Sequence, residues 1–278
     1  MTEPNHPIAR QTAEREIVHR ENKVPEPTVS FWAIKILATT VGETAADLLS
    51  SSLHLGTQLT SVVMAVVFLA VFVVQFRSRR YIPAVYWLTV VLISIVGTLI
   101  TDNLTDGLGV PLIVSTVVFG VALIATFAVW YGFERTLSIH DIVTRRREAF
   151  YWLAVLFTFA LGTAAGDLVA EQLNLGYLVS VGVFAGAIAL VAVAHSVFRL
   201  GAIVAFWIAY VLTRPLGASL GDYLSQPTAD GGLGLGTIVT SLIFLAAIVA
   251  LVVSLTVTGR GRTPSVADPL DEDERVTA

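Results

Sequence analysis

Beyond Lys35 near one end, six charged residues, Glu43, Asp47, Asp102, Asp167, Arg214 and Asp222, sit inside stretches otherwise apolar enough to cross a bilayer. A charge in such a place faces protein or water and marks a functional site by default. Carboxylates ringing a polar path concentrate cations. With threonine, serine and backbone oxygens they form hard ligands suited to Mg, Ca or Mn, and no one metal is singled out. The chemistry on offer is therefore cation binding or passage, with Arg214 as a charge in need of a partner.

The aspartates recur in one setting. "FWAIKILATTVGETAAD" (31–47), "YWLTVVLISIVGTLITD" (86–102), "YWLAVLFTFALGTAAGD" (151–167) and "FWIAYVLTRPLGASLGD" (206–222) each carry Phe or Tyr before Trp, Gly ten residues after the Trp, and Asp five after the Gly. The residue before the Asp is small each time, and a Leu-Gly loop follows (Leu55-Gly56, Leu108-Gly109, Leu175-Gly176, Leu235-Gly236). Four matches at one internal spacing define a two-helix hairpin repeated four times.

Depth follows from a helical rise of about 1.5 Å per residue. With the Trp at a membrane interface, its Gly lies about 15 Å in and its Asp about 22 Å in, within a hydrocarbon core about 30 Å thick. The Trp residues then read as an interfacial aromatic belt. Gly42, Gly97, Gly162 and Gly217 read as helix-packing positions, because small-xxx-small spacing lets helices approach where lipid supplies no hydrophobic drive. The aspartates have two readings: caps on the hairpin turns, accepting backbone N–H groups, or a carboxylate ring at a transport mouth. Asp106, Glu171 and Asp230 add negative charge to the same side.

Departures from the repeat carry further information. Glu43 stands eleven residues past its Trp, where the other copies have Thr98, Thr163 and Ala218. Arg214 stands seven past, where the others have Thr39, Ser94 and Phe159. The two differ in depth by about 6 Å, which long side chains bridge, so Glu43 is the expected partner of Arg214. Pro215 removes a backbone hydrogen bond beside it. Lys35, about 5 Å past its Trp, is expected to snorkel to the cytoplasm. His54 and His195 read as ordinary interfacial residues.

Composition sets the elements that position these groups. Of 278 residues, 55% are hydrophobic and 14% charged, against about a quarter charged in soluble domains. The chain is expected to be an all-α polytopic membrane bundle. Eight segments of roughly 20 apolar residues qualify as spans, at 29–50, 54–76, 83–104, 109–131, 149–170, 175–197, 201–223 and 234–257. Fifteen of the 17 Lys and Arg lie in the tails, in 77–80, in 134–148 or at Arg199. The positive-inside rule then puts both termini in the cytoplasm, and the expected location is a bacterial cytoplasmic membrane. No cleavable signal precedes Val29. The expected organisation is a disordered tail (1–28), a half with repeats 1 and 2 (29–131), a cytoplasmic loop (132–148) with a short interfacial helix, a half with repeats 3 and 4 (149–258), and an acidic tail (259–278). All four repeats enter in the same orientation, as in parallel-repeat transporters.

The pattern resembles a poorly characterised family of bacterial multi-pass proteins described only as membrane-anchored. The resemblance covers all eight spans and rests on the repeated Gly-x3-small-Asp. It implies the multi-pass fold and carries over no activity.

Several functions are excluded. The chain has no cysteine, so thiolate metal sites and cysteine nucleophiles are absent. It has no Walker A motif and no HExxH. The Gly-x-Gly-Asp of intramembrane aspartyl proteases is missing, since Thr44, Leu99, Ala164 and Ser219 stand three before the aspartates. A net charge of −4 offers nothing to nucleic acid. The expected function is non-enzymatic: a secondary transporter or carrier of a small cation, proton or divalent metal, using Glu43, the four aspartates and Arg214. The alternative is a non-catalytic assembly or sensory module that uses the repeats for packing. No cofactor is expected. The expected partners are the lipid bilayer and a small cation, and self-association into a homo-oligomer is compatible with the pattern.

Overall fold

The computed structural model describes residues 22–52 and 55–258. The acidic tail, His54 and the first 21 residues lie outside the described residues. Eight long helices account for most of the rest, with no strand among the described residues. They are α1 (Val29–Asp47), α2 (Thr57–Arg77), α3 (Pro83–Asp102), α4 (Leu112–Glu134), α5 (Arg145–Asp167), α6 (Tyr177–Ser196), α7 (Ala202–Ser225) and α8 (Thr237–Thr258). Seven are long and apolar enough to cross a membrane. The exception is α1, whose 19 residues include Lys35, Glu43 and Asp47.

The odd-numbered helices form a closed ring. α1 packs on α3, α3 on α5, α5 on α7, and α7 back on α1. The even-numbered helices lie outside. Each packs chiefly against the inner helix of the following repeat: α2 on α3, α4 on α5, α6 on α7, and α8 on α1. α8 thereby closes the circle. Their outward faces are apolar and exposed, as at Val66, Val121, Leu190 and Val249, which is what lipid requires.

Two repeated features explain how the hairpins turn. In repeats 1 to 3 the helix runs past its Asp into a π turn, at Leu48–Ser52, Asn103–Gly107 and Leu168–Gln172. The Gly of every Leu-Gly pair then has positive φ: 75° at Gly56, 68° at Gly109, 76° at Gly176 and 78° at Gly236. That region disfavours any side chain, so the loop motif is a backbone requirement. Repeat 4 lacks the π turn. There α7 continues to Ser225 and a short 3₁₀ turn, Thr228–Asp230, follows.

The end of the bundle nearer the termini is closed by chain that the sequence assigns to tail and loop. Asn22 donates to the carbonyl of Ile139 at 2.9 Å, and Lys23 N–H to that of Ile142 at 3.3 Å. Lys23 Nζ reaches the buried Glu148 carboxylate at 2.5 Å and the Phe76 carbonyl at 3.1 Å. The loop differs from expectation. It contains only a three-residue 3₁₀ turn, Ile139–Asp141, and α5 already begins at Arg145. Thr144 caps that helix by accepting the N–H of Arg147, while Arg146 and Arg147 pair with Glu134 of α4. The basic run is thus spent on the first turn of a spanning helix.

Candidate functional site: an acidic cavity above a buried arginine

Three layers stack along the axis of the inner ring, each built from equivalent positions of the repeats. The first is aromatic. The Phe or Tyr of one repeat contacts the Trp of the next: Phe31 to Trp87 at 5.5 Å between ring centres, Tyr86 to Trp152 at 5.5 Å, Tyr151 to Trp207 at 6.1 Å, and Phe206 to Trp32 at 5.5 Å. The pattern runs 1→2→3→4→1. Trp87, Trp152 and Trp207 are buried, so these residues lock the ring together instead of serving only as an interfacial belt. The reason is packing: aromatic pairs at these distances add about 0.5–1.5 kcal/mol each beyond their burial.

The second layer repeats the same circuit with glycine. A methyl group added at Gly42 would come within 2.5 Å of Ser94 Cβ, at Gly97 within 2.5 Å of Phe159 Cβ, at Gly162 within 2.6 Å of Arg214 Cβ, and at Gly217 within 2.6 Å of Thr39 Cβ. Each contacted residue stands seven past the Trp of the next repeat. The glycines are therefore the sockets for the residues at that position, and helix packing is their role.

One of those residues is Arg214, and it fills the centre of the ring. Its Nη2 donates to Glu43 Oε2 at 2.9 Å, to Thr163 Oγ1 at 2.7 Å and to Thr98 Oγ1. Its Nη1 donates to the Thr39 carbonyl at 3.2 Å. The guanidinium so touches all three other repeats, and the position eleven past the Trp supplies Glu43, Thr98 and Thr163 together. Arg214 is fully buried, and the Glu43 side chain is only 7% exposed. The expected pairing is present, and the threonines that substitute for Glu43 in repeats 2 and 3 are part of the same socket. α7 runs on through Pro215 without interruption.

Lys35 departs from expectation. It does not snorkel but is fully buried, with Nζ 4.1 Å from the Tyr210 ring centre, 4.4 Å from that of Phe159, and 3.4 Å from Thr213 Oγ1. The rings supply cation–π attraction at a point the sequence gives no reason to think enclosed. Arg214 stacks on the same Phe159 ring at 5.7 Å.

Above Arg214, at the end away from the termini, the third layer opens into a cavity of about 530 Å³. Glu43, Asp47, Asp102, Asp167 and Asp222 all line it, joined by Asp106 and Glu171, and no Lys or Arg does. Asp230 is not in its wall. Asp102 and Asp167, each leading into its π turn, make no side-chain capping bond. Among the described residues the one donor to any of the four aspartate carboxylates is Gln226 Nε2, 3.3 Å from Asp47 Oδ2. The backbone hydrogen bonds that a capping role requires are not made by them. Nor, among the described residues, does any group of three carboxylates or imidazoles stand where it could hold one metal ion. His195 lies apart from the site, its Nδ1 2.7 Å from the Leu200 carbonyl.

Sequence reasoning missed the sockets formed by Thr98 and Thr163, although their place in the repeat, level with Glu43, was a usable signal. The fourfold circuit has a counterpart among known families. Residues 30–81, 85–136, 150–200 and 205–260 each match the family described as Repeat of Unknown Function (DUF347). The chain belongs to this family. Four DUF347 copies correspond one to one with the four hairpins, and each copy ends with the outer helix that packs on the inner helix of its successor. No curated protein and no solved structure matches the chain.

Proposed function

We propose that this DUF347 protein is a secondary carrier of a small cation, which it binds in the acidic cavity. The range includes protons, divalent ions held through their water shells, and small organic cations. In this reading the termini face the cytoplasm, by the positive-inside rule, and the cavity opens on the other side. The observation that carries it is the convergence of seven carboxylates on one cavity, with no basic residue in the wall. Such a cavity raises the local concentration of cations and lowers the cost of stripping their water.

Glu43 forms the floor, and Arg214, outside the wall itself, is hydrogen-bonded to it from behind. An arginine bonded to all three other repeats inside the ring opposes free passage of cations, so the arrangement suits a carrier that must rearrange, not an open channel. A cation arriving at Glu43 competes with Arg214 for the same carboxylate oxygen, and this competition is the coupling step of the proposal.

A second reading has its own support. The interlocked glycine sockets and aromatic circuit also suit a packing module whose charges serve assembly only. Flux of protons, Mg, Mn and a small amine into liposomes holding the purified chain separates the two. The carrier reading expects flux of at least one cation that Glu43→Gln abolishes while the protein still inserts and folds. Absence of flux for all of them, or flux indifferent to Glu43, favours the packing module.

A further inference from the structure

The cavity also constrains which cation it takes, given the carrier reading on which this inference rests. A volume of about 530 Å³ falls in the range of small-molecule sites, roughly 300–1,000 Å³, and far exceeds what a bare ion needs. Oxygen ligands stand about 2.0–2.6 Å from a bound Mg or Ca. Here no three carboxylates among the described residues meet in that way. Asp47, Asp102, Asp167 and Asp222 come from four different helices whose neighbouring axes are roughly 8–10 Å apart. All four line one cavity, and no three of them close on one point.

One wall residue asks directly for a ligand. Asp222 is more than nine-tenths buried and lines the cavity, yet no donor reaches its carboxylate among the described residues. A buried carboxylate without a hydrogen-bond partner is costly. Asp102 and Asp167, beside it in the wall, lack capping bonds as well. Neutral acceptors, Thr57, Thr105, Gln172 and Gln226, stand among the acids. The protein supplies no donor to these carboxylates among the described residues, so what enters the cavity must donate to them, water or a ligand that displaces it from more than one carboxylate at once.

We propose that the ligand is an organic cation with two or more ammonium groups on a flexible chain. Each ammonium carries three N–H donors and satisfies one carboxylate with a neutral acceptor beside it. A chain between the ammoniums lets them reach acids on different repeats, which a compact ion cannot do.

The test uses the purified full-length chain and titration calorimetry at fixed ionic strength. The probes are 1,4-diaminobutane, a linear triamine, n-butylamine, MgCl2 and MnCl2. The diamine should bind at least roughly tenfold more tightly than n-butylamine, since it adds one charge-assisted hydrogen-bonded contact. Asp222→Asn, which keeps the side-chain shape, should weaken the diamine by a similar factor and leave the monoamine less affected. Asp102→Asn, checked alongside for an unchanged unfolding temperature, guards against a folding defect at 222. Equal affinity for diamine and monoamine overturns the inference. Binding of Mg or Mn without the diamine overturns it too while leaving the carrier reading in place. No binding of any cation removes both.

Discussion

Removing one partner of the buried Glu43–Arg214 pair should cost more than removing both. Arg214 is fully buried and hydrogen-bonded to Glu43, Thr98, Thr163 and the Thr39 carbonyl. Stranding one member of a buried ion pair costs about 3–5 kcal/mol. Glu43→Gln should lie near the lower end, about 3 kcal/mol, because three neutral acceptors still surround the guanidinium. Arg214→Gln leaves Glu43 with Thr98 at 3.3 Å and six other carboxylates in the same cavity wall, so about 3–5 kcal/mol is expected there. The double variant has neither charge to strand. Its loss should fall below that of either single change, giving a coupling at or above the top of the usual 0.5–3 kcal/mol range. Reversible unfolding in mixed detergent micelles measures all four corners of the cycle. Additive losses would refute the reasoning, because they would mean the charges are solvated independently.

Gly217→Ala places a methyl 2.6 Å from Thr39 Cβ and 3.0 Å from the Thr40 nitrogen, so it should destabilise by about 1–3 kcal/mol. Gly182→Ala, with nothing within 4 Å, should be neutral or slightly stabilising in the same unfolding assay; equal losses at both would contradict the socket. Gly176→Ala, at φ 76°, should cost about 1–2 kcal/mol through backbone strain alone, and a neutral result would mean the loop shifts freely. Glu148→Gln breaks the buried contact to Lys23. Trypsin should then cut after Lys23 at least roughly tenfold faster, since a loss of only 1.4 kcal/mol is already tenfold; an unchanged rate would show that the segment is held by its other contacts.

The repeat, the eight helices and the Glu43–Arg214 pair could be read from the sequence because each rests on local spacing and helical rise. The aromatic circuit could not. Trp at the end of an apolar helix satisfies an outward belt and an inward lock equally, and α3, with apolar residues on nearly every face, gives no direction. Lys35 was misread for a related reason: its distance from the membrane edge is local, but the Phe159 and Tyr210 rings that enclose it come from α5 and α7. The passing of each outer helix to the next repeat is likewise a matter of contacts far apart in the chain. The π turns, too, leave no composition signal that distinguishes "LLSSS" from "NLTDG" or "LVAEQ" as a class. In the candidate site, the spacing predicted that the aspartates share a level. That they line one cavity without closing on one point, and without caps, depends on the width of the ring.

The central claim is that the four aspartates act together as a cation site. Cation affinity of Asp47→Asn, Asp102→Asn, Asp167→Asn and Asp222→Asn, each measured by titration against the wild-type chain, tests it most directly. The account predicts weaker binding in every variant, graded by how enclosed each carboxylate is and greatest at Asp222, with folding unchanged. Asn caps a helix or turn about as well as Asp, so four variants that bind like wild type would contradict the claim and return the aspartates to a structural role.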